Sequence, residues 1–161
     1  MASIINVDQI AEATSGSGVH IPGHAVQRVR TYVSNSSVIE STSTSFVASG
    51  ITASITPKAS GNIILIDLVL SMVDCVSDTI NIKMYQLIAG GSYAVMAGAQ
   101  DYQIGIQSAS RWHPNVFSGS YTATSTSALT YQPYFKSVGG GNVRIVHDSS
   151  SYSLTLTEIA Q

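Results

Sequence analysis

Apolar and polar residues alternate with a period of two along most of the chain after about residue 26. The alternation is clearest in residues 51–55, 80–84, 129–135 and 152–156. This is the spacing of one face of a β-strand, and no stretch follows the helical spacing convincingly. Turn-forming residues separate the strands at regular intervals. The pattern therefore predicts an all-β fold of eight or nine antiparallel strands, a sandwich or barrel, with a jelly-roll-like sandwich the preferred arrangement.

The run from Ile63 to Leu70 is apolar almost throughout and is interrupted only by Asp67. A continuous apolar strand indicates burial on both faces, and a carboxylate within it needs a hydrogen-bond partner. Two glycines at 90 and 91 predict a hairpin, and residues 139–142 predict a turn. The last alternating segment is predicted to be a strand of the sheet.

Residues 98–127 form the longest segment without a clear pattern. Residues 103–107 are predicted as a short strand, and Trp112 and His113 follow it. Long structured excursions on β-domains commonly contact other molecules, so Trp112 and His113 are predicted contacts for a partner or a glycan. The alternative is a crossover between strands that caps the core.

Residues 1–25 differ from the remainder and are predicted to form an arm, whereas residues 26–161 form the β-domain. The segment 15–18 breaks the apolar pattern of the arm, and Pro22 and Gly23 end it. Such a short segment buries little surface against itself, so its apolar side chains are expected to contact another subunit or a docking partner. These side chains are Ile4, Ile5, Val7, Ile10, Val19 and Ile21.

Charge is scarce in this chain. Of 161 residues, 44% are hydrophobic and 10% are charged, and the net charge is −2. Ordinary soluble domains carry about 25% charged residues, so a surface largely covered by neighbours or rich in hydroxyl groups is expected. The seven basic residues form no stripe, which argues against nucleic-acid binding. Cys75 lies in an apolar run and is predicted to be a small buried side chain.

The N-terminus has neither a basic region nor a long apolar core, so we expect no signal peptide. The longest apolar stretch covers about half a membrane span and contains Asp67, so no membrane association is expected. Both expectations suit a particle that is assembled in the cytoplasm of its host.

No motif of a hydrolase, a nucleotide-binding protein or a metalloprotease is present, and no serine stands out as a nucleophile. Asp67, Asp74 and Asp78 are the densest carboxylates, but strand-edge or turn positions explain them better than paired catalysis. We therefore expect no enzymatic activity and no cofactor. His20 and His24 flank a turn, and three copies of the arm around a threefold axis would bring their imidazoles near a metal; a plain polar role is the alternative.

Eight tyrosines are spread along the predicted strands. Packing across the sheet is the expected role of such residues, and a sugar-binding face is the alternative. They are Tyr32, Tyr85, Tyr93, Tyr102, Tyr121, Tyr131, Tyr134 and Tyr152.

Residues 5–14 and 17–23 resemble a segment of structural proteins of tailed bacteriophages. The shared pattern is I-x-V-D-x-I-x-E-x-T, a turn of small residues, then G-V-x-I-x-G. The strand that opens near Gln27, the stretch 51–58 and the ending 154–161 are similar to the β-domain that often follows it. The resemblance implies intertwined trimeric β-structure and a place on the virion. Unlike long fibres, this chain has no repeated shaft, which favours a capsid-decorating protein.

The sequence therefore predicts a non-enzymatic homotrimer of the virion, a cement or head-spike protein that contacts the major capsid protein. A short tail fibre or receptor-binding tip that contacts tail proteins and host surface glycans is the second prediction. A glycan-binding module of the same fold and a depolymerase are further alternatives, and location on head or tail is left open.

Overall fold

The computed structural model describes residues 21–75, 78–106 and 113–161. Within these ranges the chain is all-β, every strand pairing is antiparallel and no helix occurs. The strands are β1 (Ala25–Ser36), β2 (Ile39–Ser41), β3 (Val47–Ala48), β4 (Ala53–Ile55), β5 (Ile63–Cys75), β6 (Asp78–Ile88), β7 (Ala94–Val95), β8 (Tyr102–Ile106), β9 (His113–Thr122), β10 (Leu129–Ser137), β11 (Val143–Val146) and β12 (Ser150–Ile159).

Eight of these strands lie end to end in pairs, and each pair, like each of the four remaining strands, is called here a composite strand. β11 and β12 both run antiparallel to β5, and β1 and β2 run beside them. In the second sheet β3 and β4 share one side of β10, while β7 and β8 share the far side of β6. Sheet one is thus ordered β1/β2, β11/β12, β5, β9, and sheet two is ordered β3/β4, β10, β6, β7/β8. Among the described residues the twelve strands thus form eight composite strands, and the sequence predicted eight or nine.

The core lies between the two sheets, as in a β-sandwich. Alternate side chains of β5 and β12 in sheet one and of β6 and β10 in sheet two point inward and join one apolar cluster. The fully buried members include Ile66, Leu68, Ile82, Met84 and Phe135. Cys75 is also buried, as its apolar surroundings predict. The period-two pattern therefore identified the inward face correctly on β6, β10 and β12.

The prediction that residues 63–70 are buried on both faces is wrong for the single chain, without any partner. Ile64, Ile66 and Leu68 are buried, whereas Leu65 and Val69 lie on the outer side of sheet one, where they are half-exposed. The reason is that a sandwich of two sheets covers only one face of each sheet. An apolar outer face of a central strand is therefore left open.

The stretch between residues 98 and 127 agrees with the prediction in one part and differs in another. The short strand predicted at residues 103–107 is confirmed as β8. The ten-residue strand β9, which pairs with β5 from Ile63 to Val73, was not predicted. Phe117 points into the core, while Val116 and Ser118 point out. The serines and the glycine of β9 weaken the apolar alternation, and this is why the strand was not predicted.

The end of β12 is fixed by a buried carboxylate. Glu158 accepts hydrogen bonds from Gln27 Nε2 at 2.5 Å, from the backbone N–H of Lys58 at 2.8 Å and from Asn62 Nδ2 at 2.7 Å. The N–H of Gly23 donates to the carbonyl of Ala160 at 2.8 Å. The start of β1 and the last residues of the chain are therefore held together, and the final segment is a sheet strand as predicted.

The glycine-rich turn after β10 wraps around Asp78. This carboxylate accepts hydrogen bonds from Ser137 Oγ at 2.5 Å, Gly139 N at 2.8 Å and Gly141 N at 2.6 Å. A Cβ on residue 141 would lie 2.8 Å from Asp78 Oδ2, so only glycine fits there without a shift. The pKa of Asp78 is lowered to about 2, mainly by the hydrogen bond from the Ser137 hydroxyl and further by those from the backbone N–H groups.

Candidate functional site

The structure describes only some of the residues singled out in the sequence. Ile4, Ile5, Val7, Ile10, Val19, His20 and Trp112 lie outside the described residues, so their predicted contacts stay predictions. Ile21 is half-buried, and its carbonyl accepts a hydrogen bond from the N–H of His24. His113 is exposed at the start of β9.

The outer side of sheet one carries a group of exposed apolar side chains, called here the aliphatic face. It consists of Leu65 and Val69 on β5, Val116 on β9 and Tyr32 on β1. In the strand register Tyr32 is opposite Ser153, Ser153 is opposite Val69, and Val69 is opposite Val116. These residues therefore form a row across all four composite strands of the sheet, and Leu65 lies four residues from Val69 along β5, beyond Asp67.

The exposure of these side chains is unusual for a sheet surface in water. Val116 is 67% exposed, Tyr32 55%, Val69 39% and Leu65 38%. An antiparallel sheet that faces solvent on one side normally presents polar residues there. Large apolar side chains grouped on a protein surface are typical of a contact with another molecule. In this group Asp67 lies between Leu65 and Val69, and Ser153 lies between Val69 and Tyr32. The aliphatic face is therefore the first candidate site.

A single row of opposite charges crosses the aliphatic face. Arg30 is opposite Thr155, Thr155 is opposite Asp67, and Asp67 is opposite Ser118. Asp67 accepts a hydrogen bond from Ser118 Oγ at 2.5 Å, so the partner predicted for this carboxylate exists, although on the open side of the strand. The Arg30 guanidinium lies 4.9 Å from the ring centre of Tyr32.

The outer side of sheet two carries a group of aromatic rings and lysines, called here the tyrosine face. It consists of Phe46, Tyr85, Tyr93, Tyr134, Lys83 and Lys136. Tyr85 and Tyr134 stack with ring centres 4.0 Å apart. The ring of Phe46 lies on the other side of Tyr85, with ring centres 6.3 Å apart. The ring of Tyr93 lies on the other side of Tyr134, with ring centres 6.0 Å apart. The predicted packing of tyrosines across the sheet is observed here.

Two ammonium groups lie beside the Phe46 end of this row. Lys136 Nζ is 5.0 Å and Lys83 Nζ is 5.4 Å from the ring centre of Phe46, within the range of cation–π attraction. Lys83 also forms an ion pair with Asp101. Within the described ranges Lys136 has no carboxylate partner. The tyrosine face therefore carries one uncompensated positive charge.

The hydroxyl groups of Tyr85, Tyr93 and Tyr134 make no hydrogen bond with any described residue. None of the three oxygens is fully buried, so each is open to a ligand or to water. The pKa of the Tyr93 hydroxyl is raised above its usual value, mainly because the group is partly buried and to a lesser extent because Tyr134 is nearby. A phenol hydroxyl both donates and accepts hydrogen bonds, so all three groups offer a ligand both roles.

A cavity of about 380 Å³ opens where the two sheets meet, between the β6–β7 hairpin and β9. Gln86 and Tyr121 supply its longer polar side chains. Its remaining walls are small or aliphatic: Ile88, Gly91, Ser92, Ala94, Val95 and Ala97.

The three aspartates examined for paired catalysis each have a separate structural partner. Asp67 binds Ser118, Asp78 binds the glycine turn, and the buried Asp74 lies 3.3 Å from the Arg144 guanidinium. Arg144 also pairs with Glu40 at 2.8 Å, and this hydrogen bond is the main cause that lowers the pKa of Glu40.

Among the described residues, no three side chains of histidine, cysteine, aspartate or glutamate converge as metal ligands. His24 is exposed and its predicted metal partner His20 is outside the described ranges, so the metal hypothesis stays a prediction. No helix of the described chain is long and apolar enough to cross a membrane.

No protein-family model matches this chain, and no curated protein matches it either. The two candidate surfaces therefore stand on their geometry. Sequence reasoning did not identify the aliphatic face, because it assigned both sides of residues 63–70 to the interior. It named the tyrosines but not their grouping, because Tyr85 and Tyr134 are 49 residues apart and only the β6–β10 pairing joins them.

Proposed function

We propose that this chain is a non-enzymatic structural protein of a bacteriophage virion, a homotrimeric capsid-decorating protein with a jelly-roll domain. The resemblance of residues 5–23 to phage structural proteins supports the virion role. Eight composite strands in two four-stranded antiparallel sheets support the jelly roll. The aliphatic face is the observation that carries the assembly proposal.

The mechanism is the covering of the aliphatic face by a second copy of the chain. Leu65, Val69 and Val116 are exposed in the single chain, and moving such side chains out of water contributes about 25 cal/mol per Å² of apolar area. Asp67 and Arg30 in the same row have opposite charges, so two copies shifted relative to each other pair them. Arg28, which is opposite Thr157 in the row of Leu65, is a further charge on this surface that the contact has to pair or leave in water.

The arm adds a second set of contacts in this proposal. Ile4, Ile5, Val7 and Ile10 bury their side chains between copies, and Val19 and Ile21 continue the contact towards β1. On a repetitive capsid, many modest contacts per copy are multiplied by valency. The trimer then bridges neighbouring subunits of the major capsid protein.

The solution mass tests the assembly directly. Light scattering is expected to give three times the chain mass of 16.9 kDa. Val7→Asp is expected to weaken assembly because it places a charge in an apolar contact. Val7→Leu is the matched control, since it keeps the apolar character. A stable monomer of the unaltered protein contradicts the proposal.

The role on the virion is tested by deletion. Removal of residues 1–20 is expected to lower occupancy on particles, measured by quantitative mass spectrometry of purified virions. Unchanged occupancy removes the arm from the mechanism. Absence of the full-length protein from purified virions contradicts the virion role itself.

A second candidate function is a short tail fibre or receptor-binding tip that contacts host glycans. The tyrosine face favours it, because aromatic rings and free hydroxyls on an outer surface suit recognition of sugars. Imaging of labelled protein on particles separates the two functions, since head labelling supports decoration and tail labelling supports the tip.

A further inference from the structure

We infer that the tyrosine face is a binding site for an acidic saccharide, a glycan that carries carboxylate groups. The inference deepens the second candidate function, names the class of ligand and assigns it to residues other than the predicted Trp112 and His113. It does not depend on the oligomeric state, so its failure is distinguishable from failure of the assembly proposal.

The first argument is the shape of the site. Phe46, Tyr85, Tyr134 and Tyr93 form one row of rings, with successive ring centres 6.3, 4.0 and 6.0 Å apart. The row is built on the rigid pairing of β6 and β10, in which Tyr134 is opposite Lys83 and Tyr85 is opposite Gln132. Because the stacked rings cover one another's faces, the row presents ring edges and phenol hydroxyls outward, in a line along which a chain of pyranose units fits.

The second argument is hydrogen bonding. The hydroxyls of Tyr85, Tyr93 and Tyr134 bind no described residue, and each phenol is at once a donor and an acceptor. A sugar hydroxyl has the same dual character, so it pairs with a tyrosine hydroxyl in either direction.

The third argument is charge. Lys136 lies beside the end of the row at Phe46 and has no carboxylate partner among the described residues, whereas Lys83 is paired with Asp101. A hydrogen bond between an ammonium group and a carboxylate is stronger than one between neutral groups. The unpaired cation therefore favours a uronic acid or a similar acidic sugar over a neutral one.

The composition of the site favours a saccharide over a protein partner. Tyrosine and lysine side chains supply most of the tyrosine face, whereas leucine and valine supply most of the aliphatic face. The cores of protein interfaces are depleted of lysine but enriched in tyrosine and phenylalanine, so the two lysines and not the rings are what favours a saccharide. A protein contact on the tyrosine face is therefore the alternative that the experiment has to exclude.

Binding is tested with the full-length protein on an array of defined polysaccharides. The acidic probes are polygalacturonate, alginate and hyaluronan, and the neutral probes are dextran and mannan. Retention of at least one acidic probe is expected, with neutral probes bound at least about tenfold more weakly. Lys136→Gln is expected to lower affinity for the acidic probe about tenfold and to leave neutral binding unchanged, because it removes one charge-assisted hydrogen bond.

Three further variants separate the contributions. Tyr134→Phe keeps the stacked ring and is expected to lower affinity severalfold through loss of one hydroxyl, while Tyr134→Ser is expected to lower it further. Val38→Ser, an exposed position between β1 and β2 that belongs to neither face, is the control and is expected to bind like the unaltered protein. Thermal unfolding of each variant checks that the domain is folded.

Four results overturn the inference. The first is no binding to any acidic probe at millimolar concentration, and the second is equal binding of acidic and neutral probes. The third is binding that Lys136→Gln and Tyr134→Ser leave unchanged, and the fourth is an equal loss of binding in Val38→Ser. If no saccharide binds but Tyr134→Ser lowers occupancy on virions, the tyrosine face is a protein contact and the inference is wrong.

Discussion

The two outer faces of the sandwich are built on the same antiparallel architecture but differ in chemistry. Sheet one presents Leu65, Val69 and Val116, which offer water no hydrogen bond. Sheet two presents stacked tyrosines with free hydroxyls and an unpaired lysine. Covering a face of the first kind removes apolar surface from water and so lowers the free energy. A face of the second kind keeps its polar groups in water, and those groups select the ligand by hydrogen bonds and charge. On this difference rests our proposal that one side serves assembly and the other recognition.

The largest expected effect is that of Val69→Asp at the centre of the aliphatic face. A carboxylate there would be buried without a partner when a second copy covers it, which costs several kcal/mol per contact. The protein is expected to change from a trimer to a monomer in sedimentation velocity while the domain stays folded. Thr130→Asp, a polar-to-charged change on the outer side of β10, is the control and is expected to stay trimeric. If both variants had the same oligomeric state, the proposal that only the aliphatic face takes part in assembly would be wrong.

A smaller effect, on folding and not on assembly, is expected for Glu158→Gln. This change replaces a buried carboxylate that binds three donors by an amide that cannot accept from all of them, so it is expected to cost about 1–3 kcal/mol of stability. Chemical denaturation measures the cost. In a Val69→Asp background the cost should be the same, because distant sites contribute additively. A loss of assembly without a loss of stability would mean that Glu158 acts on the interface.

The smallest effect, of about 1–2 kcal/mol, is expected for Asp78→Asn, which weakens the hydrogen bonds to the glycine turn. Because folding lowers the pKa of Asp78 from its ordinary value of 3.8 to about 2, the charged form stabilises the native state fully above about pH 4. The stabilisation is lost as the pH falls towards 2. The difference in unfolding free energy between the two proteins should therefore be constant from pH 7 to about pH 4 and narrow below it. A difference that grows in acid would contradict this assignment.

Much of the fold could be predicted from the sequence because inward side chains repeat with period two. Residues 51–55, 80–84 and 129–135 follow this rule, and all three contribute to the core. β9 could not be recognised by it, since Ser118, Gly119 and Ser120 interrupt the apolar pattern on both faces. The strand becomes evident only through its pairing with β5.

The candidate surfaces were less predictable than the fold. An apolar residue such as Val69 looks the same in sequence whether its own domain or another copy covers it. The tyrosine face depends on register, because Tyr85 and Tyr134 meet only when Tyr85 pairs opposite Gln132. The Asp78 turn likewise joins residues about 60 positions apart, and only its glycines were visible as a turn signal.

The central claim, that a second copy covers the aliphatic face, is tested most directly by thiol labelling. Val69→Cys and Thr130→Cys place a thiol on each outer face, and the native Cys75 is buried and contributes little background. In the assembled protein, maleimide should modify the cysteine at position 69 at least tenfold more slowly than the one at position 130, and dilution to the monomer should abolish the difference. Equal labelling rates in the concentrated protein would mean that the aliphatic face is open, and the assembly proposed here would be wrong.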